Sequence, residues 1–410
     1  MTTATMMNYK TRPQAAPSIF ERGLRTQLQR LEHGLLYLEH GGRRDVYGYA
    51  AADGLTARIV VHRERFFRKT VLGGSTGAAE SYMDGDWDSD DVTALVRLFA
   101  RNHQVLDGLD SGWTKLGLLG ARAVYAARRN TRSGSRRNIA DHYDLGNDFF
   151  SKMLDPTMTY SSAIFADNEA TLEQASVHKL DVLCRKLDLE PSDHLLEIGS
   201  GWGSMAIHAA KHYGCRVTTT TISAEQRKLA QARVAAAGLE DRVEVIQRDY
   251  RDLSGRYDKI VSVEMIEAVG WQYYEAFFGK CSELLEPGGR AALQAITIAD
   301  HRFERWKSEA EFIQRYIFPG SCIPSVTALL SAAAESSDLR LRCLDDYTAD
   351  YARTLAAWRD NITPHRQWVV GRYGETFWRM WTYYLSYCEG GFAEGYNGLV
   401  HLVFEKERWA

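Results

Sequence analysis

In the stretch HLLEIGSGWGS, a short apolar run leads into an acid, Glu197, and then into Gly199, Gly201 and Gly203 at alternate positions. Glycines at a strand-to-helix turn let the backbone bend sharply and let a ligand approach the peptide plane closely. The GxGxG order lacks the GxGxxG spacing that suits a pyrophosphate. Further on, VEVIQRDY ends a second apolar run in Asp249, at the distance where an acid that contacts adenine is expected. Between the two, VTTTTIS ends without the carboxylate that commonly holds a ribose, which leaves Thr221 and Gln226 as substitutes. An acid before small-residue turns, with a second acid on a later strand, points to S-adenosylmethionine rather than a dinucleotide.

These residues need a scaffold, and the pattern around them supplies one. From about residue 170 onward, amphipathic stretches such as LEQASVHKLDVLCRKLDL and AEQRKLAQARVAAAG alternate with short apolar runs, HLLEI, CRVTTTTIS, YDKIVSVEM and RAALQAITI. That alternation predicts an α/β fold, a mostly parallel sheet with helices on both faces, and the cofactor turn within it makes the expected fold that of a class I (Rossmann-like) methyltransferase. A last run, NGLVHLVFEKE, is expected to add a strand at the sheet edge.

Ahead of this unit, residues 1–18 read as a flexible leader and 19–120 as a smaller N-terminal α+β domain. In the latter, LLYLEHGGRRDVYGYAAADGLTARIVVHRERFFRKTVLGG alternates as hairpin strands do. A helix then follows in DDVTALVRLFARNHQVLDGL, with Asp90 or Asp91 as its N-cap. Residues 121–137 form a basic linker, and 138–410 the catalytic domain. Arg122, Arg128, Arg129, Arg132, Arg136 and Arg137 crowd that linker. It reads either as a solvated connection or as a patch drawn to anionic headgroups, at about 1 kcal/mol per charge near a membrane surface.

At 45% hydrophobic and 25% charged, the 410-residue composition is that of a folded protein. A net charge of −3 argues against nucleic acid as a partner. The six cysteines have no framework or metal spacing, which suits a reducing compartment and predicts no metal site. No apolar run approaches the roughly 20 residues that span a bilayer. A cytoplasmic location is therefore expected, with any membrane met from its inner face.

Several ordered segments carry a resemblance: NIADHYDLGNDFF, LDPTMTYSSAIF, LEIGSGWG, TISAEQ, DYRDL, VSVEMIEAVG, YIFPGSCIPS, DYARTLAAW and MWTYYLSYCEGGF. Together they resemble the cyclopropane fatty acyl phospholipid synthase family, which includes the mycolic acid cyclopropane synthases, from about Asn138 to the C-terminus. The resemblance implies cofactor contacts from Tyr160, Ser161, Gly199, Gly201, Gly203, Ile222, Gln226, Asp249 and Tyr250. It also implies a bicarbonate held near the transferred methyl by Glu267, the backbone around Ile296, and Tyr351. The implied substrate is a cis-unsaturated acyl chain on a phospholipid, with the N-terminal domain engaging lipid. A homodimer is a further expected partner.

An alkene attacked by a methyl donor leaves a carbocation, which aromatic faces stabilise through their quadrupoles. Tyr316, Phe318, Trp358, Phe377, Trp381, Tyr383 and Tyr384 are candidates, though each taken singly reads more readily as core or lipid-tunnel lining. A base must then take a proton, and Glu267 or Tyr351 is expected to move it. Ser162 and Gln294 depart from the family, where Cys and His are usual, and Ala268 stands where His is common. Ser and Gln still donate hydrogen bonds and so are able to hold an anion, but neither shares a proton as His does, which leaves both bicarbonate binding and the proton-removal step open. Direct proton loss closes a cyclopropane, whereas a hydride shift first gives a methylene branch, the precursor of a mid-chain methyl, and both products stay open. Cys388 reads as a buried small hydrophobe rather than a nucleophile. A methyltransferase for another small lipophilic substrate, or a lapsed lipid-binding relative, is the alternative.

Overall fold

The computed structural model describes residues 16–105, 145–307, 309 and 311–408. The leader up to residue 15 and the arginine-rich linker lie outside the described residues.

The N-terminal unit begins with helix α1 (Ile19–Leu28), whose N-cap Ser18 accepts the backbone N–H of Glu21. Strands β1 (Gly34–His40) and β2 (Arg43–Tyr49) form the expected antiparallel hairpin. Strand β3 (Thr56–Val61) instead pairs parallel to β1, and β4 (Trp87–Asp88) closes the sheet in the order β2-β1-β3-β4. The strand reading overran at RFFRKTVLGG, which is the first half of helix α2 (Arg65–Met83). There Phe66, Phe67 and Thr70 are buried at helical spacing, a 3.6-residue period hidden among neighbours with good strand propensity. Helix α3 (Val92–Arg101) starts at Asp91, which accepts from Ala94 N at 2.8 Å.

In the larger unit, α4 (Asn147–Met153) and α5 (Leu172–Leu187) precede β5 (His194–Ile198), α6 (Ser204–Tyr213), β6 (Arg216–Thr221), α7 (Ala224–Ala236) and β7 (Val243–Gln247). Then follow β8 (Tyr257–Val263), α8 (Tyr274–Leu284), β9 (Leu285–Ile298), α9 (Val326–Ser336), β10 (Leu339–Asp346), α10 (Thr348–Ile362), α11 (Glu375–Ala393) and β11 (Asn397–Lys406). The sheet order is β10-β11-β9-β8-β5-β6-β7, in which β11 alone runs antiparallel to its neighbours β10 and β9 and the other pairs are parallel. The run NGLVHLVFEKE is thus an inner strand and not the edge. Its continuous burial from Leu399 to Phe404 marks a strand covered on both faces, and β10 pairs along its outer edge. The strand order reverses beside β5, where ligands of such sheets bind at the carboxyl ends.

The two units share one core. Phe66, Phe67, Leu95 and Leu98 from the N-terminal unit join Trp358, Trp381 and Leu385 in a single buried cluster. Helix α3 lies so close to α11 that a Cβ at Gly390 would stand 2.8 Å from Val96 Cβ. Around that contact Arg97 and Arg101 bind Glu394 at 2.7 Å, and Arg379 binds Asp88 at 2.6 Å. Because most of these side chains are partly exposed, packing carries the junction and the ion pairs orient it.

Candidate active site

The turn after β5 builds one wall of a cavity of about 670 Å³. Gly199 and Gly203 have φ of +100° and +89°, left-handed values that favour glycine. The loop is braced from behind, with Trp202 Nε1 donating to Asn147 Oδ1 at 2.8 Å and Arg233 donating to Trp202 O at 2.7 Å. Gly199 and Gly201 line the cavity, and no atom lies within 4 Å of a Cβ built at Gly201, so a ligand can lie against its backbone. Gly203 does not line it; its Cβ would meet Ala230 at 3.3 Å, so its smallness serves helix packing.

Along the strand ends, Ile222, Gln226, Asp249 and Tyr250 line the same cavity. Thr221 donates to Gln226 Oε1 at 2.8 Å, which turns the amide donors of Gln226 outward for hydroxyl acceptors such as a ribose. Asp249 is buried and held by Arg251 through Nε at 2.8 Å and Nη2 at 2.6 Å. The Tyr250 hydroxyl is buried without a hydrogen-bond partner, and burial raises its pKa. Tyr160 and Ser161 form the opposite wall, where the Tyr160 hydroxyl lies 3.2 Å from that of Tyr384. Glu197 accepts from Thr219 at 2.6 Å, and burial pushes its carboxyl up to about 8.

The reacting end differs from expectation at one residue. Glu264 follows β8 with φ +48°, a left-handed value for a non-glycine residue, and its carboxylate enters the cavity wall. Oε1 accepts from Ser162 N at 2.8 Å and from Gln294 Nε2 at 2.7 Å, while Oε2 accepts from the Tyr351 hydroxyl at 2.6 Å. Three donors drawn from Ser162, Gln294 and Tyr351 therefore meet a carboxylate of the chain itself. Ser162 and Gln294 do not line the cavity, because Glu264 stands in front of them. The Ser162 hydroxyl points away and donates to Ala163 O at 3.0 Å.

Gln294 is itself fixed. Lys186 Nζ approaches His401 Nδ1 at 3.2 Å, and His401 Nε2 lies 2.8 Å from Gln294 Oε1. Burial and the nearby Lys186 and Lys179 charges hold His401 well below its ordinary pKa, hence neutral. A neutral ring that accepts from lysine at Nδ1 must donate from Nε2, so the Gln294 amide must present its N–H₂ to Glu264.

Glu267 sits beside this cluster and lines the cavity. Its Oε1 accepts from Ile296 N at 2.5 Å, and its Oε2 is buried without a partner. Burial, and then the Glu264 charge, push Glu267 up to about 8. Burial also raises Glu264, but its bonds from Tyr351, Ser162 and Gln294 and the Lys179 charge pull it back. Three donors on the Glu264 carboxylate favour its ionised form, whereas the partnerless Oε2 of Glu267 suits a proton, so Glu264 can serve as the base and Glu267 as its protonated neighbour.

Of the aromatic candidates, Phe318, Tyr383 and Tyr384 line the cavity, as does Tyr351, stacked on Phe392 at 4.3 Å. Trp358, Phe377 and Trp381 pack in the core behind it, and Tyr316 bonds Glu80 at the surface. Cys388 faces the cavity with its thiol pushed up to about 12 by burial, which suits packing and not attack. The resemblance marks only the second acid of VEMIE, Glu267, so Glu264 is not among the residues it implies; two acids three residues apart are the available signal.

The family model for mycolic acid cyclopropane synthetase matches residues 130–402. The tuberculostearic acid methyltransferase of Mycobacterium tuberculosis is 37% identical over 402 residues, 96% of this chain and 92% of its own. The cyclopropane-fatty-acyl-phospholipid synthase of Escherichia coli K12 is 37% identical over 369 residues, 88% of this chain and 90% of its own. A crystal structure of the mycolic acid cyclopropane synthase CmaA1 with S-adenosylhomocysteine and CTAB superposes with a TM-score of 0.62 at 29% identity. That match covers 66% of this chain and 98% of that one.

Proposed function

The chain belongs to the mycolic acid cyclopropane synthetase family, and from that premise we propose that it converts the cis double bond of a phospholipid acyl chain into a methylene branch. It is an S-adenosylmethionine-dependent methyltransferase that adds one carbon to unsaturated lipid chains. Bound along Gly199, Gly201, Gln226 and Asp249, the cofactor supplies an electrophilic methyl group. The residues fit it: an open glycine cradle, outward amide donors and a buried acid on successive strand ends.

Methylation of one alkene carbon leaves a secondary cation on the other. If the base is slow, the hydrogen on the methylated carbon shifts across as hydride, and the cation becomes tertiary. Loss of a proton from the added methyl then gives a C=CH₂ branch. The observation that carries this reading is the Glu264 carboxylate, with both oxygens tied down by three donors. Such a carboxylate is a weaker and less mobile base than a small free anion, so proton removal lags and the shift comes first. Bicarbonate has no role here, since its expected donors serve Glu264 and Glu267. The proton lost from the added methyl passes to the Glu264 carboxylate, which the Tyr351 hydroxyl holds in place by donating to Oε2.

The apolar part of the same cavity reaches Leu28, Ile59, Leu95 and Phe99 of the N-terminal unit, which supports a path for the acyl chain between the units. No helix among the described residues is long and apolar enough to cross a membrane. The lipid is drawn instead from the cytoplasmic membrane surface, with the arginine-rich segment 122–137 favouring anionic headgroups. Expression in a host rich in monounsaturated phospholipids and lacking its own cyclopropane synthase tests the reading. Mass spectrometry of the fatty acids is expected to show a methylene branch; a cyclopropane, or no new species, overturns it.

A further inference from the structure

Lys179 on α5 is 1% exposed, and its ammonium has a single hydrogen-bond partner, donating to Ser161 Oγ at 2.6 Å. No carboxylate forms an ion pair with it among the described residues, although Glu264, Asp155 and Glu197 act on it at longer range. A buried ammonium without a counter-ion is costly, and burial pushes this one down to about 8. Because the Ser161 oxygen accepts from lysine, the Ser161 proton is turned toward another acceptor, and none is present among the described residues. Lys179 keeps two further N–H groups. Both residues line the cavity beside Gly199. Unused donors and an unmatched positive charge thus converge on one corner.

The cofactor carries one anionic group, its α-carboxylate. With adenine placed toward Asp249 and ribose toward Gln226, the amino-acid end extends past Gly199 to the wall formed by Ser161. We infer that Lys179 is the positioning cation for the cofactor carboxylate, acting through Ser161, so that the cofactor supplies the anion that this buried charge lacks within the chain. This rests on the S-adenosylmethionine reading of the site and names the residue that recognises the zwitterionic end. It also explains why a lysine is tolerated in the interior: the bound state supplies the missing anion.

The test compares two ligands by calorimetry on the full chain. S-adenosylhomocysteine has the carboxylate; 5′-methylthioadenosine has the same nucleoside without the amino-acid end. Lys179→Met is expected to weaken S-adenosylhomocysteine roughly 10- to 100-fold, a loss of about 1.4–2.8 kcal/mol, and to leave 5′-methylthioadenosine unchanged. Ser161→Ala, a smaller disturbance of the fold, is expected to show the same selectivity with a smaller loss. Equal weakening of both ligands, or unchanged S-adenosylhomocysteine binding in both variants, overturns the inference. A wild-type protein that binds neither ligand would instead remove the cofactor reading itself.

Discussion

Tyr351, on the first turns of α10, donates its hydroxyl proton to Glu264 at the end of β8 over 2.6 Å. The bond joins the helical C-terminal layer to the sheet across 87 residues of chain. Its acceptor holds a left-handed backbone conformation, an arrangement that costs about 1–2 kcal/mol for a non-glycine residue. Strain of this kind persists where surrounding contacts over-determine it, and here they end on a carboxylate at the reacting end of the cavity.

Replacing Glu264 by Gln removes the ionised base while keeping the shape. Turnover is expected to fall by about 10²–10⁴, the usual contribution of a general base, with S-adenosylhomocysteine affinity little changed. Glu264→Gly should relieve the backbone and reopen three donors to a small anion. Wild-type turnover is expected to be indifferent to removal of bicarbonate, and the Gly variant to recover when it is added. A wild-type enzyme that needs bicarbonate would show that Glu264 does not take the anion's place.

Tyr351→Phe deletes one charge-assisted hydrogen bond, worth about 1.5–3 kcal/mol. That bond is one of the causes lowering the Glu264 pKa against burial, so its loss raises the pKa. Activity requires the ionised form, and the acid limb of the kcat profile is expected to move to higher pH. An unshifted limb with merely lower kcat would assign Tyr351 to packing alone.

Glu267 is raised to about 8 in the folded chain, against about 4.3 for a free glutamate. The folded state therefore binds the extra proton, and its stability is greatest at low pH and erodes as pH rises between these two values. In the cofactor-free protein, Glu267→Gln is expected to melt close to wild type at pH 5. It should melt several degrees higher at pH 8.5. A gap that stays constant with pH would mean that Glu267 does not titrate in this window.

Gly390→Ala forces a methyl against Val96 and should cost about 1–3 kcal/mol by overpacking. Urea unfolding is expected to show the loss, and the added cost of Gly390→Ala to shrink in a Val96→Gly background, which lacks the Cβ that the methyl meets. Strict additivity of the two losses would mean that α3 and α11 do not meet there as closely as described.

The sheet and the cofactor wall were legible because both follow from local rules: apolar runs between amphipathic helices, and glycines where a ligand meets backbone. The N-terminal unit was legible in class but not in detail, since RFFRKTVLGG satisfies a strand pattern and a helix pattern alike and only packing decides. Likewise β11 could not be placed from its own residues, because whether a strand is inner or edge depends on β10, which the pattern did not reveal. At the reacting end, Ser162, Gln294 and Tyr351 were found, but their common acceptor was not. Donors at positions 162, 294 and 351 converge on Glu264 only through the tertiary fold, and no spacing announces it.

The cavity running from Glu264 to Leu28 and Phe99 sets two jobs on separate parts of the chain. The reacting end is built wholly by the methyltransferase unit, whereas the far end is walled by helices of the smaller one. On the acyl-chain path proposed above, the distance between them would act as a ruler laid along the chain. Divergence in α1, α2 and α3 can thus change which carbon meets the methyl donor while every group that handles the proton stays in place.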